Sequence, residues 1–549
     1  MIMSMADVDE IVKRFDSIKG ARSNWEYHWE EIAERVLPRQ RGFTGNRTDG
    51  EKKTEKVFDS KPIMALDRFA AVMDSMLTPR QQKWHNLKTT DESLNRDFAV
   101  QDWFYQVNNI LYSMRYAPKA NFAGQNYERW TSVGAFGTGS LFIDFQPGSG
   151  LRYRCLNLKD TYFCENHQGV IDTVYREFRY TARQAMQRFG YENLPESIQK
   201  ALEDPNKEKE EFAFIHYVAP RVNYDSSKAD AKNMPFASYY IAVKEKVMVA
   251  PEGGYNSFPF SVSRYVTAPD EIYGRSPAMS ALPDIKMLNE MAKTDIRAAH
   301  KLIDPPILLH DDGILGGGAM SVNMRPGGLN VGGVSRDGRP LIQPFNTGSR
   351  VDINEAKMEQ RRQAIDDAFL VTLFQILVET PRMTATEALI RAQEKGMLLT
   401  PTMGRQQSEA LGPLIERELD LLMFHNVLPP MPDALIEAGG EYEIIYDSPM
   451  SRMQRAEELV GVQRTMELLA PFAQMDPSVL DVFNKDELAR MTAEVSGVPT
   501  PILRSPEEVM KLRQARAQQE AMQQQIAAAQ PLAGAMKDAA QANQLLTGQ

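Results

Sequence analysis

Glu271-Ile272-Tyr273-Gly274-Arg275-Ser276-Pro277 opens onto a helix, a glycine-rich insert, a second helix, a short loop and a further helix, a series that ends near residue 400. In the first helix, about 281 to 303, Ile285, Leu288, Ala292, Ala299 and Leu302 recur at helical spacing, while Lys286, Lys293, Asp295, Arg297 and Lys301 fall on other faces. The second, about 351 to 377, carries Ile365, Phe369, Leu373 and Leu377 every four residues and the polar Arg361-Arg362-Gln363 and Asp366-Asp367. Each helix is therefore predicted to have a packed stripe and a wet one. Between them, residues 304 to 350 hold nine glycines from Gly313 to Gly338, enclosed by Asp304-Pro305-Pro306 and Pro340-Leu341-Ile342-Gln343-Pro344. Such a composition breaks helices and allows only short strands and turns.

Working outward, a chain of 549 residues is long enough for several domains and a sizeable core. With 25% charged and 43% hydrophobic residues it is globular in character. The longest apolar stretch, Ala368 to Val378, contains Thr372 and Gln375 and falls short of the roughly 20 residues that span a bilayer, so no membrane segment is expected. Asp7, Asp9 and Glu10 stand where a secretory signal has a basic end and an apolar run, which predicts an unexported protein. Two cysteines argue against a disulfide-built domain. The net charge of −10 argues against a surface that grips nucleic acid through clustered Lys and Arg. A conduit is a different case, because an acidic wall repels phosphate over a Debye length of about 8 Å and lets DNA slide.

Residues 5 to 37 read as one or two helices, with Gly20 a candidate break. Phe58-Asp59-Ser60-Lys61-Pro62 reads as a helix start, Ser60 the cap and Pro62 in the first turn, and another amphipathic helix is expected at about 97 to 114. From Ser140 to about Val266 the period shortens to alternating runs, a β-rich insert interrupted by a short helix from Thr181 to Phe189. Helices are expected at Thr384 to Glu394, Gly404 to His425, and near 452 to 468 and 485 to 495, with a strand at Tyr442 to Tyr446. From 505 onward a capping box, Ser505-Pro506-Glu507-Glu508, starts an Ala/Gln-rich helix with little to bury, stable only if packed against copies of itself. The fold class is thus α+β and mainly helical.

The motifs that invite chemistry each have a plainer reading. Gly134-Ala135-Phe136-Gly137-Thr138-Gly139 has glycines between a probable helix and a strand, the reverse of a dinucleotide turn, and lacks the Lys-Ser/Thr of a phosphate loop; so does Gly316-Gly317-Gly318. Cys155, Cys164 and His167 lack the paired spacing of a zinc site and read as reduced residues of a sheet. Asp366-Asp367 and Asp311-Asp312 are adjacent acids, pointing about 100° apart on a helix, and suit a solvated or channel-facing acidic face better than chelation. Arg361-Arg362 reads as a salt-bridged helix surface that a ring would turn into a belt of charge. No cofactor, metal or catalytic residue is expected.

The order of elements and several motifs resemble the portal, or head-to-tail connector, proteins of short-tailed bacteriophages. The resemblance rests on Tyr273-Gly274-Arg275-Ser276-Pro277 with Leu282-Pro283-Asp284-Ile285-Lys286 and Leu288-Asn289, on Asp304-Pro305-Pro306, on Leu77-Thr78-Pro79 before Trp84, and on Asp447-Ser448-Pro449-Met450 with Gln454-Arg455, and it covers roughly residues 5 to 500. It implies a ring, dodecameric in that family, of wing, stem, clip and crown. The wing would be residues 1–270, the first stem helix 271–303, the clip 304–350, the second stem helix 351–377 and the tunnel loop 378–386. Long helices bordering wing and crown would occupy 387–440, a return to the wing or crown 441–500, and a tail forming crown or barrel, or disordered, 501–549. The implied function is a channel at a unique capsid vertex of the virion, assembled in the host cytoplasm, for packaging and ejecting double-stranded viral DNA. It would also be a docking platform for terminase, tail adaptor and capsid proteins, with no enzyme activity of its own. Thr380, Pro381 and Arg382 of the tunnel loop, with Arg361, Arg362 and Lys293 of the stem, become the candidate DNA-channel residues; the bland alternative for Thr380-Pro381-Arg382-Met383-Thr384 is a connector loop. The other readings are a ring-forming nucleic-acid-processing enzyme, which would need a phosphate loop or carboxylate cluster, and an internal virion scaffold without a channel.

Overall fold

The computed structural model describes residues 5–40, 42–44, 54–91, 93–225, 228, 230–303, 307–309, 334, 337–340, 342–344, 351–372, 402–446 and 508–520, with isolated helical residues between 461 and 492. The chain forms two compact units, one of residues 1–82 and 114–425, the other of 83–113 and 426–549. In chain order the elements begin with α1 (Met5–Ala21), α2 (Ser23–Val36), α3 (Lys61–Leu77), β1 (His85–Lys88), α4 (Phe98–Arg115) and α5 (Phe122–Phe136). The strand-rich stretch follows: β2 (Thr138–Gln146), β3 (Gly150–Leu156), β4 (Thr161–Glu165), β5 (Ile171–Thr181), α6 (Ala182–Phe189), α7 (Glu196–Glu203), β6 (Glu211–Pro220), β7 (Phe236–Ala242), β8 (Val247–Met248), β9 (Gly253–Tyr255) and β10 (Phe260–Arg264). Last come α8 (Pro277–Ile303), β11 (Ile307–Leu309), β12 (Ile342–Pro344), α9 (Val351–Ala368), α10 (Gly412–Phe424), α11 (Asp433–Glu437) and β13 (Glu443–Tyr446). No helix among the described residues is long and apolar enough to cross a membrane.

The first unit is built on two antiparallel sheets. One has six strands, β4-β5-β6-β7-β8 with β9 also on β7, and the other has the order β10-β2-β3. Alternation along β5 to β7 gives the six-stranded sheet two apolar faces. Tyr175, Ile215 and Ile241 meet Val8, Ile11, Val12 and Phe15 of α1, while Phe214 and Ala242 on the other face meet Ala182, Ala185 and Phe189 of α6 and Ile198 of α7. The α6 start is the expected one, with Thr181 and Gln184 forming a reciprocal capping box.

Three local features differ from the sequence reading. The break between α1 and α2 falls at Arg22 rather than Gly20, because the buried Arg22 guanidinium turns inward to the carbonyls of Leu158 (2.9 Å), Lys159 (2.6 Å) and Thr161 (2.7 Å) and lies 3.5 Å over the Tyr162 ring. At α3, Ser60 makes no side-chain cap; Asp59 accepts the Lys61 N–H instead, at 2.8 Å. The helix expected over 351–377 is interrupted after Ala368, where Leu370 takes a left-handed φ of 61° and its N–H donates to Asp367; residues 371–372 are helical again, and 373–377 lie outside the described residues.

The Gly404 to His425 helix is present, with one turn of π-helix at Gln407–Leu411 just before α10. Pro413 explains it: in a regular helix its ring would meet the carbonyl four residues back and offer that carbonyl no N–H. Within this turn the Ala410 carbonyl accepts from the Ser261 hydroxyl at 2.7 Å. Within the same unit Arg115 and Glu418 form a fully buried ion pair, and the Tyr153 hydroxyl donates to Glu418 at 2.6 Å.

In the second unit β13 is the strand expected near 442–446, and it pairs antiparallel with β1, His85 opposite Tyr446 and Lys88 opposite Glu443. The Trp103 indole donates to the Pro429 carbonyl at 3.1 Å. Residues 508–520 are helical and almost wholly exposed, in keeping with an Ala/Gln-rich stretch that has little to bury.

Candidate functional site

The lead-in Tyr273-Gly274-Arg275-Ser276-Pro277 places the paired helices. Ser276 accepts the Met279 N–H at 3.0 Å and donates to the Ala135 carbonyl at 2.8 Å, so it caps α8 and ties the helix start to the end of α5. Pro277 then takes the first helical position, where a missing N–H does no harm. Gly274 donates to Thr138 Oγ1 at 2.9 Å, and the Gly137 carbonyl accepts from Tyr265 at 2.9 Å. The two backbones touch so closely that a Cβ on Gly274 would lie 2.3 Å from the Gly137 oxygen. Of the glycines of 134–139, Gly137, at φ 80°, thus makes the helix-to-strand turn against which the 271–277 motif locks, while Gly134 lies in α5 and Gly139 in β2. Tyr273 completes the joint, packing on Trp25, Trp29 and Phe163.

From this anchor α8 and α9 run antiparallel, with Arg361 on Asp284 (2.8 Å) and Asn354 on Asp295 (3.3 Å). The short ribbon of β11 and β12, Ile307 opposite Pro344 and Leu309 opposite Ile342, lies between them in the chain. The expected stripes are packed where they are described: Ile285 and Leu288 of α8 and Ile365 and Phe369 beside them are buried. Ala299 is half-buried, and the side chain of Leu302, like Leu373 and Leu377, lies outside the described residues.

A strap of four residues, Phe58 to Lys61, fastens the two helices at the start of α3. Asn289 of α8 accepts the N–H groups of Phe58 (3.0 Å) and Asp59 (3.2 Å). Arg362 of α9 donates to Asp59 at 2.9 Å, and Lys61 pairs with Asp366 of α9. Lys293 sits 5.6 Å over the Phe58 ring and 3.5 Å from Glu290. Lys286 donates to Glu31 of α2 at 2.7 Å, and that hydrogen bond holds the Glu31 carboxyl below the usual carboxylate range.

Three of the six candidate channel residues are therefore described, and all three are engaged: Arg361 between the helices, Arg362 on the strap, Lys293 over Phe58. Thr380, Pro381 and Arg382 lie outside the described residues, as does the 378–386 loop. Asp366 is buried and paired, so only exposed Asp367 fits the solvated acidic face expected of the two. Asp311-Asp312 lie outside the described residues. The cations of these helices that stand exposed with no ion pair among the described residues are Arg297 and Lys301 of α8 and Lys357 of α9. Helical spacing marked Arg297 and Lys301 as outward-facing, yet only the placement of acidic neighbours distinguishes a committed cation from an available one.

Cys155 of β3 and Cys164 of β4 are free thiols, pushed by burial up to about 12 and about 11, and His167 is exposed in the turn after β4. Among the described residues no three His, Cys, Asp or Glu side chains are grouped to hold a metal ion.

The family model for "bacteriophage head to tail connecting protein" matches residues 8–503. The chain is 29% identical over 521 residues to the probable portal protein of Bordetella phage BPP-1, covering 94% of this chain and 92% of that protein. It is 27% identical over 546 residues to the portal protein of Salmonella phage epsilon15, covering 97% and 96%. Among solved structures, a chain in the neck of the native GTA particle computed with C12 symmetry is 12% identical, with a TM-score of 0.35 over 74% of this chain and 86% of that one. The last likeness is too loose to carry argument.

Proposed function

This chain belongs to the bacteriophage head-to-tail connecting protein family, and we propose from that membership that it forms a dodecameric ring at one vertex of the capsid, the channel through which viral DNA is packaged and ejected. The observation that carries the reading is the match across residues 8–503, which takes in every described element from α1 to β13 except three residues at the start of α1. In this reading residues 1–270 are the wing, and 271–303 and 351–377 the stem, with α8 and α9 held by the strap. Residues 304–350 are a clip rooted on the β11–β12 ribbon. The tunnel loop is 378–386, with Thr380, Pro381 and Arg382 toward the DNA. Residues 387–440 border wing and crown, 441–500 return to them, and 501–549 are the Ala/Gln-rich tail of a crown or barrel. Terminase, tail adaptor and capsid proteins are its docking partners, and it has no catalytic step of its own. Lys293, Arg361 and Arg362 hold the stem together while adding to a ring of charge, and Arg297, Lys301 and Lys357 extend that ring with exposed side chains.

A head-to-tail ring needs two different complementary surfaces on each subunit. Exposed Met287, Ile296 and Ile303 of α8 and Tyr27 of α2 supply apolar area for such contacts. The test is mass photometry and negative-stain imaging of purified full-length protein. Particles about twelve times the 62.0 kDa chain with a central hole are expected. A monomer that persists across concentration and salt overturns the reading.

A further inference from the structure

The face of the six-stranded sheet that carries α6 also meets the three-stranded sheet, and three arginines gather where they join. Arg176 of β5 is the direct cross-strand partner of His216, which is in turn the partner of Tyr240. The His216 and Tyr240 rings stack at 4.2 Å. From α6, Arg188 reaches the Tyr240 hydroxyl at 3.3 Å, its guanidinium 5.7 Å from the ring centroid. From the other sheet, Phe142 comes within 6.0 Å of His216, and Arg154, exposed, is the direct partner of Phe142 across β2 and β3. Arg176 itself is half-buried, 5.3 Å over Phe178.

Among the described residues no carboxylate pairs directly with this cluster: neither Arg154, Arg176 nor Arg188 makes an ion pair, and Glu177, beside Arg176 in the chain, is committed to Lys19. Asp144, opposite Arg152 across β2 and β3, acts on Arg188 through its field, and Asp160 acts likewise on Arg176; neither makes an ion pair with these arginines. Burial first, and then the charge of Arg154, push the Arg176 guanidinium down to about 10, and burial with Arg176 and Arg188 pushes His216 down to about 3. Half-burying a cation beside like charges is unfavourable unless an anion completes the site. Guanidinium forks match phosphoryl oxygens, two bonds to a group.

We propose that Arg154, Arg176 and Arg188 form a binding site for a phosphoryl oxyanion, either free in solution or carried on a nucleic-acid strand. The site stands on its own geometry and is independent of the connector reading. The experiment is titration calorimetry on full-length protein at constant ionic strength, with inorganic phosphate in one arm and, in the other, a short oligothymidylate without terminal phosphate. Arg176→Gln and the exposed Arg154→Gln are each expected to weaken binding by about tenfold or more without changing particle mass. Loss confined to inorganic phosphate identifies a free ion as the ligand, and loss that includes the oligonucleotide identifies the strand. If neither ligand distinguishes the wild type from both variants, the site does not exist.

Discussion

Gly274 has no room for a side chain, since an added Cβ meets the carbonyl of Gly137 at 2.3 Å, a backbone atom that cannot rotate away. Gly274→Ala is expected to destabilise the protein by about 1 to 3 kcal/mol as an overpacked site, read as a lowered thermal midpoint. An unchanged midpoint would mean that the lead-in does not fix the start of α8. His216 makes a second residue-scale claim. Its imidazole, 2.9 Å from Ser238 Oγ and stacked on Tyr240, is buried beside Arg176 and Arg188 and held down to about 3, whereas the unfolded chain offers a site near 6.5. Between those values the unfolded state binds the extra proton, so the stability is complete above about 6.5 and falls as the pH drops toward 3. The fall is up to about 1.4 kcal/mol per pH unit, and His216→Gln should flatten that part of the stability curve between pH 7 and 5. Parallel curves for the two proteins would contradict it. The sequence left both His216 and the arginines around it as ordinary residues, because their meaning comes from cross-strand registers that no local pattern encodes.

At the scale of elements, the strap from Phe58 to Lys61 joins three helices through residues far apart in the chain. Asp59 is nearly buried and its partner Arg362 only partly so, which puts the pair between a surface contact and a buried one. A double-mutant cycle of Asp59→Ala with Arg362→Ala is expected to give a coupling energy of roughly 0.5 to 3 kcal/mol that shrinks as salt is raised. Additive single effects would show the strap to be incidental. The buried Arg115–Glu418 pair is the harsher case: Glu418→Ala leaves Arg115 without its carboxylate in the interior and should lower stability by about 3 to 5 kcal/mol, seen as loss of soluble protein. Helices and strands were legible wherever a period ran uninterrupted, as in α4, α8 and β5. What escaped was set by distant partners: Arg22 chose the α1–α2 break through carbonyls of residues 158 to 161. The strand at 85–88 gave no signal of its own because it is only four residues long and is defined by β13. Of the candidate site, the cations are legible in the sequence but their acidic partners are not, so the ties of Lys293, Arg361 and Arg362 to Glu290, Asp284 and Asp59 come from the structure alone.

At the scale of the whole molecule, the proposed channel asks how a chain of net charge −10 would hold DNA without arresting it. An exposed arginine on a phosphate is worth on the order of 0.2 to 1 kcal/mol, too little to matter once. Repeated around a ring, such contacts add to a weak, salt-sensitive hold that resists slippage and still allows movement. Arg382, next to Pro381 in the stretch that the family resemblance makes a tunnel loop, is the proposed residue for that contact. Arg361, tied to Asp284 at 2.8 Å, provides the contrast. Arg382→Ala is expected to leave particle mass unchanged and to shorten the DNA retained in filled heads, with the difference from wild type shrinking as salt rises. Arg361→Ala, by loosening α8 from α9, is expected to lower the thermal midpoint of the particle first. Measuring particle mass, thermal midpoint and packaged DNA length for both variants separates a DNA contact from a structural one. A weakened ring in Arg382→Ala would make residues 380–384 a connector between subunits, and wild-type values throughout would remove Arg382 from the channel.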